Sequence, residues 1–206
     1  MLQERTPESL FEDIAQDNLV LKEFKHHSIR VMYLTTILAK KLNIFDEDLK
    51  VAALLHDIGK MGLSRDILLK PGKLTSLEKL IVESHSHVGN VIIRKELEKP
   101  RAAGFVRDHH ENWDGTGYPR GLAGEDISLQ GRILRVCDSF DAMTYDMRSY
   151  QETKMTHQEA IKELRRCSWR QFDGDVVEVF VDLIQTIQLP DLWYNEENLE
   201  NLLKQI

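Results

Sequence analysis

Apolar positions recur at three- and four-residue intervals along most of the chain, the spacing that lines one face of an α-helix, and no stretch alternates long enough to build a sheet. Thr6 and Pro7 predict a first helix, because proline at the first helical position gives up only an amide without a partner, and Leu10, Phe11 and Ile14 form its apolar face. A longer helix is predicted over 19–42, with Phe24, Val31, Leu34, Leu38 and Leu42 on one side. Asp46 is placed to cap a third, running into Leu54 and Leu55. Thr75 with Glu78 forms a capping box and predicts one helix that carries Leu77, Leu80, Ile81, Val88 and Ile92 and ends before Pro100. The Gly-, Asp- and Pro-rich stretch 111–126 predicts a loop. Ser128, the Thr156–Glu159 box and Asp173 start three further helices, and 195–206 reads as a short amphipathic one. The expected fold is all-α, in a single domain over 1–206.

Composition acts mainly by exclusion. The chain has 206 residues, 42% hydrophobic and 30% charged, enough to bury a core and incompatible with disorder or a collagen-like chain. With 27 Lys and Arg against 34 Asp and Glu, the net charge of -7 argues against binding DNA or RNA through a basic surface. No run approaches the roughly 18 apolar residues of a membrane helix, and the acidic N-terminus is no signal peptide, so a soluble, cytoplasmic protein is expected. Cys137 and Cys167 make neither a disulfide framework nor a Cys-rich zinc site, and both are expected to be small buried residues.

The candidate chemistry lies in the histidines and acids. Glu23 and His27 are four apart on one helix, hence on one face. His56 and Asp57 end an apolar helix in LLHDIGK, and His109 with His110 ends a second one just before ENWDGTGYP. Asp138 interrupts the apolar stretch RILRVCDSFDAM, where an unpaired carboxylate would be costly to bury and a metal would remove the cost. Imidazole and carboxylate donors without thiolate suit iron, manganese or zinc in a catalytic rather than a structural site.

These pieces, with HHSIRV (26–31), ILLKPGKLTSLE (67–78) and HSHVG (85–89), occur in the order seen in the bacterial HD-GYP domains, which the chain resembles over roughly 20–185; 1–18 would be an N-terminal helical extension and 190–206 a C-terminal helix. The resemblance implies a helical bundle with a Gly-rich GYP loop, holding two or three divalent ions, and hydrolysis of cyclic di-GMP to pGpG and onward to GMP. It implies His27, His56, Asp57, His85, His109, His110 and Asp138 as metal ligands, with Asp57 bridging the ions and orienting the nucleophile, and Glu23 as the extra ligand of the three-metal subgroup. Lys60 matches the lysine that contacts a substrate phosphate. Gly117, Tyr118 and Pro119 of the GYP signature are candidates for recognising substrate or a partner such as a diguanylate cyclase. Asp141 is expected either behind a ligand or against a guanine. His26 and His87 are expected behind the ligands or exposed, and His157 on the surface near a helix start. The segment TYDMRSYQ departs from the family's Arg-Pro-Tyr pattern and weakens the assignment of Arg148 to the nucleotide; Asn112 stands where the family carries arginine. Alternatives are an HD hydrolase for another cyclic dinucleotide, such as mixed cyclic GMP-AMP, and a signalling module that binds without turnover. A sensor or receiver domain as partner and a homodimer stay open.

Overall fold

The computed structural model describes residues 5–15, 19–68, 70–145 and 154–187, and for 13–15 and 19–23 the backbone alone. The helices follow in the order α1 (Pro7–Ala15), α2 (Leu19–Lys41), α3 (Glu47–Leu55), α4 (Arg65–Leu68), α5 (Ser76–Glu83), α6 (His85–Glu96), α7 (Pro100–Asp108), α8 (Leu129–Thr144), α9 (His157–Arg166) and α10 (Gly174–Thr186), with a short 3-10 turn over Ile58–Gly62. Among the described residues there is no strand, only two isolated bridges, Asp114 to Ala123 and Ser168 to Phe172. No helix there is long and apolar enough to cross a membrane.

The caps act where the sequence puts them. Asp46 accepts from Asp48 N, Ser128 from Gly131 N and Asp173 from Asp175 N and Val176 N, and both Thr–Glu boxes close reciprocally. The core gathers Phe11, Ile29, Leu34, Leu38, Leu55, Val106, Phe140 and Phe180, each shielded from solvent or nearly so, with Cys137 and Cys167 also buried. Helix α2 packs against α3, α8 and α10, while α6 packs against α7 and the 3-10 turn. Histidines sit on the long α2, directly after α3 and α7, and at the start of α6.

One expected helix is two. The single helix expected after Thr75 breaks at Ser84, and Leu77 and Leu80 lie 68% and 63% exposed instead of in the core. The cause is tertiary: Gly59 of the 3-10 turn presses so close to His85 that a Cβ there would stand 2.0 Å from the His85 carbonyl oxygen. This contact holds the start of α6 against the 3-10 turn, while α5 packs only lightly, on α4 and α6. The expected helix at 195–206 lies outside the described residues, as does the side chain of Ile14.

Candidate metal centre

Three histidines reach one interior point from three helix ends and are held alike. His56 directly follows α3, His85 comes two residues after α5, and His109 directly follows α7. The last carbonyls of a helix have no amide of their own helix to accept. His56 Nδ1 donates to Ala53 O at 2.8 Å, His85 Nδ1 to Val82 O at 2.6 Å and His109 Nδ1 to Val106 O at 2.5 Å. Each bond fixes the tautomer, so that the Nε2 lone pair points inward. His27, on α2, gains the same geometry from a carboxylate: its Nδ1 donates to Asp141 Oδ2 at 2.7 Å, and Arg30 clamps Asp141 from behind with Nε to Oδ1 at 2.7 Å and Nη2 to Oδ2 at 2.9 Å.

The inner surface is consequently rich in acceptors. His27 Nε2 lies 3.1 Å from both His56 Nε2 and Asp138 Oδ1; His85 Nε2 lies 3.4 Å from both His109 Nε2 and Asp57 Oδ1. Asp57 Oδ1 is buried and has no hydrogen-bond donor among the described residues. Lone pairs facing one another out of water require a proton or a cation between them. In the protein alone, protons and Lys60 fill part of that role. Burial pulls the His27 imidazole down, but its hydrogen bonds to Asp138 and Asp141 prevail and raise it to about 10. Burial holds His85 down at about 4 and lowers His56, His109 and His110 as well. For Asp57, burial acts upward and is overcome by Lys60, whose Nζ donates to Oδ2 at 2.6 Å, and by the neighbouring imidazoles.

Two donor groups emerge, Asp57–His85–His109–His110 and His27–His56–Asp57, each with ligand atoms within 4.8 Å of one another. Asp57 belongs to both, and Asp138 flanks the second, 3.8 Å from His56 Nε2. An all-nitrogen and oxygen set sharing one carboxylate fits a pair of borderline divalent ions. His110 differs from the other rings, because its Nδ1 accepts from Arg135 Nη1 at 3.2 Å. The neutral ring then carries its proton on Nε2 and directs its lone pair from Nδ1 at Arg135, so it can offer that lone pair to a cation only when the Arg135 contact is released.

Other expected residues fall in different places. The Glu23 side chain and Arg148 lie outside the described residues. Asp141 is corrected from a guanine contact to a support for His27: it is fully buried, with both oxygens already taken. His157 is not a free surface residue, since its Nε2 meets the Tyr145 hydroxyl at 2.6 Å and its ring lies 5.5 Å from Phe140. His87 is exposed and His26 half-buried. Tyr118 stacks on His110 with centroids 4.8 Å apart, and burial raises its hydroxyl, which stays protonated as a donor. Pro119 is exposed. Gly117 is demanded by the loop itself, for a Cβ would stand 2.2 Å from Asn112 N. Buried Glu111 pins that loop by accepting from Arg120 N at 2.7 Å and Leu122 N at 3.0 Å.

Arg30, Arg135 and Glu111 were not anticipated. A signal existed for two of them. Arg30 sits three residues after His27, and Arg132, Arg135, Asp138 and Asp141 form a polar stripe at three-residue spacing on the otherwise apolar α8.

The model of the HD domain family matches residues 9–176. The chain is 36% identical over 181 residues to a cyclic di-GMP phosphodiesterase of Thermotoga maritima, covering 85% of this chain and 48% of that one. It is 46% identical over 121 residues to the 3′3′-cGAMP-specific phosphodiesterase 3 of Vibrio cholerae, covering 57% of this chain and 26% of that one. The chain therefore spans about half or less of the length of these relatives. Among solved structures, a cyclic GMP-AMP-specific phosphodiesterase of V. cholerae superposes with a TM-score of 0.65 at 19% identity, covering 86% of this chain and 48% of that one, a likeness of fold.

Proposed function

The chain belongs to the HD domain family, and on that premise we propose that it is a metal-dependent phosphodiesterase that cleaves cyclic di-GMP to pGpG, with residues 20–185 as the catalytic unit. The observation that carries this reading is the convergence of imidazole nitrogens and carboxylate oxygens around a shared carboxylate, Asp57, whose buried Oδ1 has no donor among the described residues. Iron or manganese suits the ligands best, zinc is also compatible, and Glu23 is the natural ligand for a third ion. Bound ions would supply Lewis acidity at the phosphorus and lower the pKa of a water in the site.

The protein's own part is positioning. Backbone carbonyls and Asp141 hold four imidazoles in the Nδ1–H tautomer. Lys60 neutralises Asp57 in the protein alone, and with cations in that role its ammonium would be free to meet a phosphate oxygen. Tyr118, kept protonated, offers a hydroxyl proton at the edge of the centre. Two ions bring +4 against the -2 of Asp57 and Asp138, so an anionic diester is attracted although the chain is acidic.

A second substrate, mixed cyclic GMP-AMP, is favoured by the identity to the V. cholerae relative. The deciding experiment pairs metal analysis of anaerobically purified protein with product analysis on both dinucleotides. We expect two or three ions per chain, release of pGpG, and loss of product with His56→Ala or Asp57→Ala. Metal-loaded protein that binds cyclic di-GMP yet releases no pGpG would refute hydrolysis and leave a binding module; a higher kcat/KM on cyclic GMP-AMP would select the second substrate.

A further inference from the structure

Beside the metal centre lies a cleft of about 550 Å³, within the range of small-ligand pockets. Its walls include Leu74, Val82 and Tyr118, all half-buried, with Glu83 set among them and Lys73 and Lys79 at the exposed rim. Two wall residues also serve the centre. The Val82 carbonyl receives His85 Nδ1, and the Tyr118 ring stacks on His110. The cleft thus adjoins the place where a phosphate would react. Its lining is largely apolar, with one aromatic face, as a planar base requires on its two sides. A carboxylate on such a wall is acceptor-only, and guanine alone among the common bases presents two adjacent donors, N1–H and the exocyclic amine, on one edge. Glu83 has its charge matched only loosely, by Lys79 Nζ at 3.5 Å, so its oxygens can turn to such an edge while the lysine turns to a phosphate.

We propose that this cleft seats one guanine base of a cyclic dinucleotide, with Leu74, Val82 and Tyr118 covering its faces and Glu83 reading its N1–H and amine edge. The proposal rests on the phosphodiesterase reading and adds a specificity-determining residue to it. Adenine, with an acceptor at N1, would leave the Glu83 carboxylate facing a lone pair, and a site built to accept two bonds discriminates strongly against a ligand that cannot give them.

The test compares kcat/KM on cyclic di-GMP and cyclic di-AMP for the metal-loaded protein and its variants. Glu83→Gln, nearly isosteric, is expected to lower the preference for guanine over adenine by about tenfold or more. Val82→Asp is expected to raise KM for cyclic di-GMP about tenfold, with kcat changed far less. Leu77→Ala, on the exposed side of α5, is expected to change neither. A guanine preference that survives Glu83→Gln intact overturns the proposal while the phosphodiesterase reading stands. An unmodified protein that cleaves neither dinucleotide overturns that reading instead, and methyl-to-base NOEs from Leu74 and Val82 to bound cyclic di-GMP then decide the cleft separately.

Discussion

Replacing Asp141 by Asn tests how the centre is held from behind. The carboxylate is fully buried and accepts three charge-assisted hydrogen bonds, two from Arg30 and one from His27. An amide of the same shape loses the charge and puts an NH2 group against either the guanidinium or the imidazole N–H. Arg30 is then a buried cation without its anion, and removing one partner of such a pair costs about 3–5 kcal/mol of folding stability. The second effect is on metal binding. His27 keeps its Nδ1–H tautomer through Asp141, and losing such a support lowers metal affinity about 10–100-fold, or about 1.4–2.7 kcal/mol. Urea unfolding of chelator-treated protein measures the first quantity, and calorimetric titration with manganese measures the second. The double variant Arg30→Met/Asp141→Asn separates them: it removes the stranded cation and recovers most of the stability, while metal affinity stays low. Manganese affinity within about twofold of the parent for Asp141→Asn would refute the reasoning, because His27 would then be either no ligand or one positioned by something else.

Three further outcomes are expected. In metal-free protein the imidazoles give stability two opposite slopes: His85, lowered to about 4, contributes stability that is present above its unfolded value near 6.5 and is lost as pH falls through about 4, whereas His27, raised to about 10, contributes stability that is present below 6.5 and is lost as pH rises through about 10. Urea midpoints should therefore peak near neutral pH, and a flat profile from about pH 4 to 10 would contradict both assignments. Because His27 must give up a proton to bind a cation, manganese titrations near neutral pH should release about one proton from it, read as a dependence of the observed heat on buffer ionisation enthalpy; identical heats in all buffers would be inconsistent with the raised pKa. Gly59→Ala pushes a methyl into the His85 carbonyl oxygen and the Gly89 amide, and should cost about 1–3 kcal/mol or more together with bound metal, as seen in urea unfolding and metal stoichiometry.

Much of the helical framework was legible in the sequence because its causes are local. Asp46, Ser128, Asp173 and the two Thr–Glu boxes act within one turn, and three- and four-residue apolar spacing is a property of a single helix. The residue types of the centre were legible too, since acids and imidazoles inside apolar helices carry a cost that a cation removes. What only the tertiary structure decided are relations between distant segments. The break at Ser84 follows from Gly59 meeting His85 across 26 positions, and local periodicity contains no trace of it. For Asp141 the sequence leaves a place behind a ligand and a guanine contact both open, and α2 decides between them by bringing Arg30 and His27 against it over more than a hundred residues. The three carbonyl-bound histidines, the Arg135 contact to His110 and the cleft beside Tyr118 likewise depend on where helix ends meet. The chain alone specifies which donors exist and which helices carry them; their tautomers, free oxygens and mutual distances come from packing, because long-range contacts, rather than neighbours in sequence, set direction and solvent exclusion at a buried site.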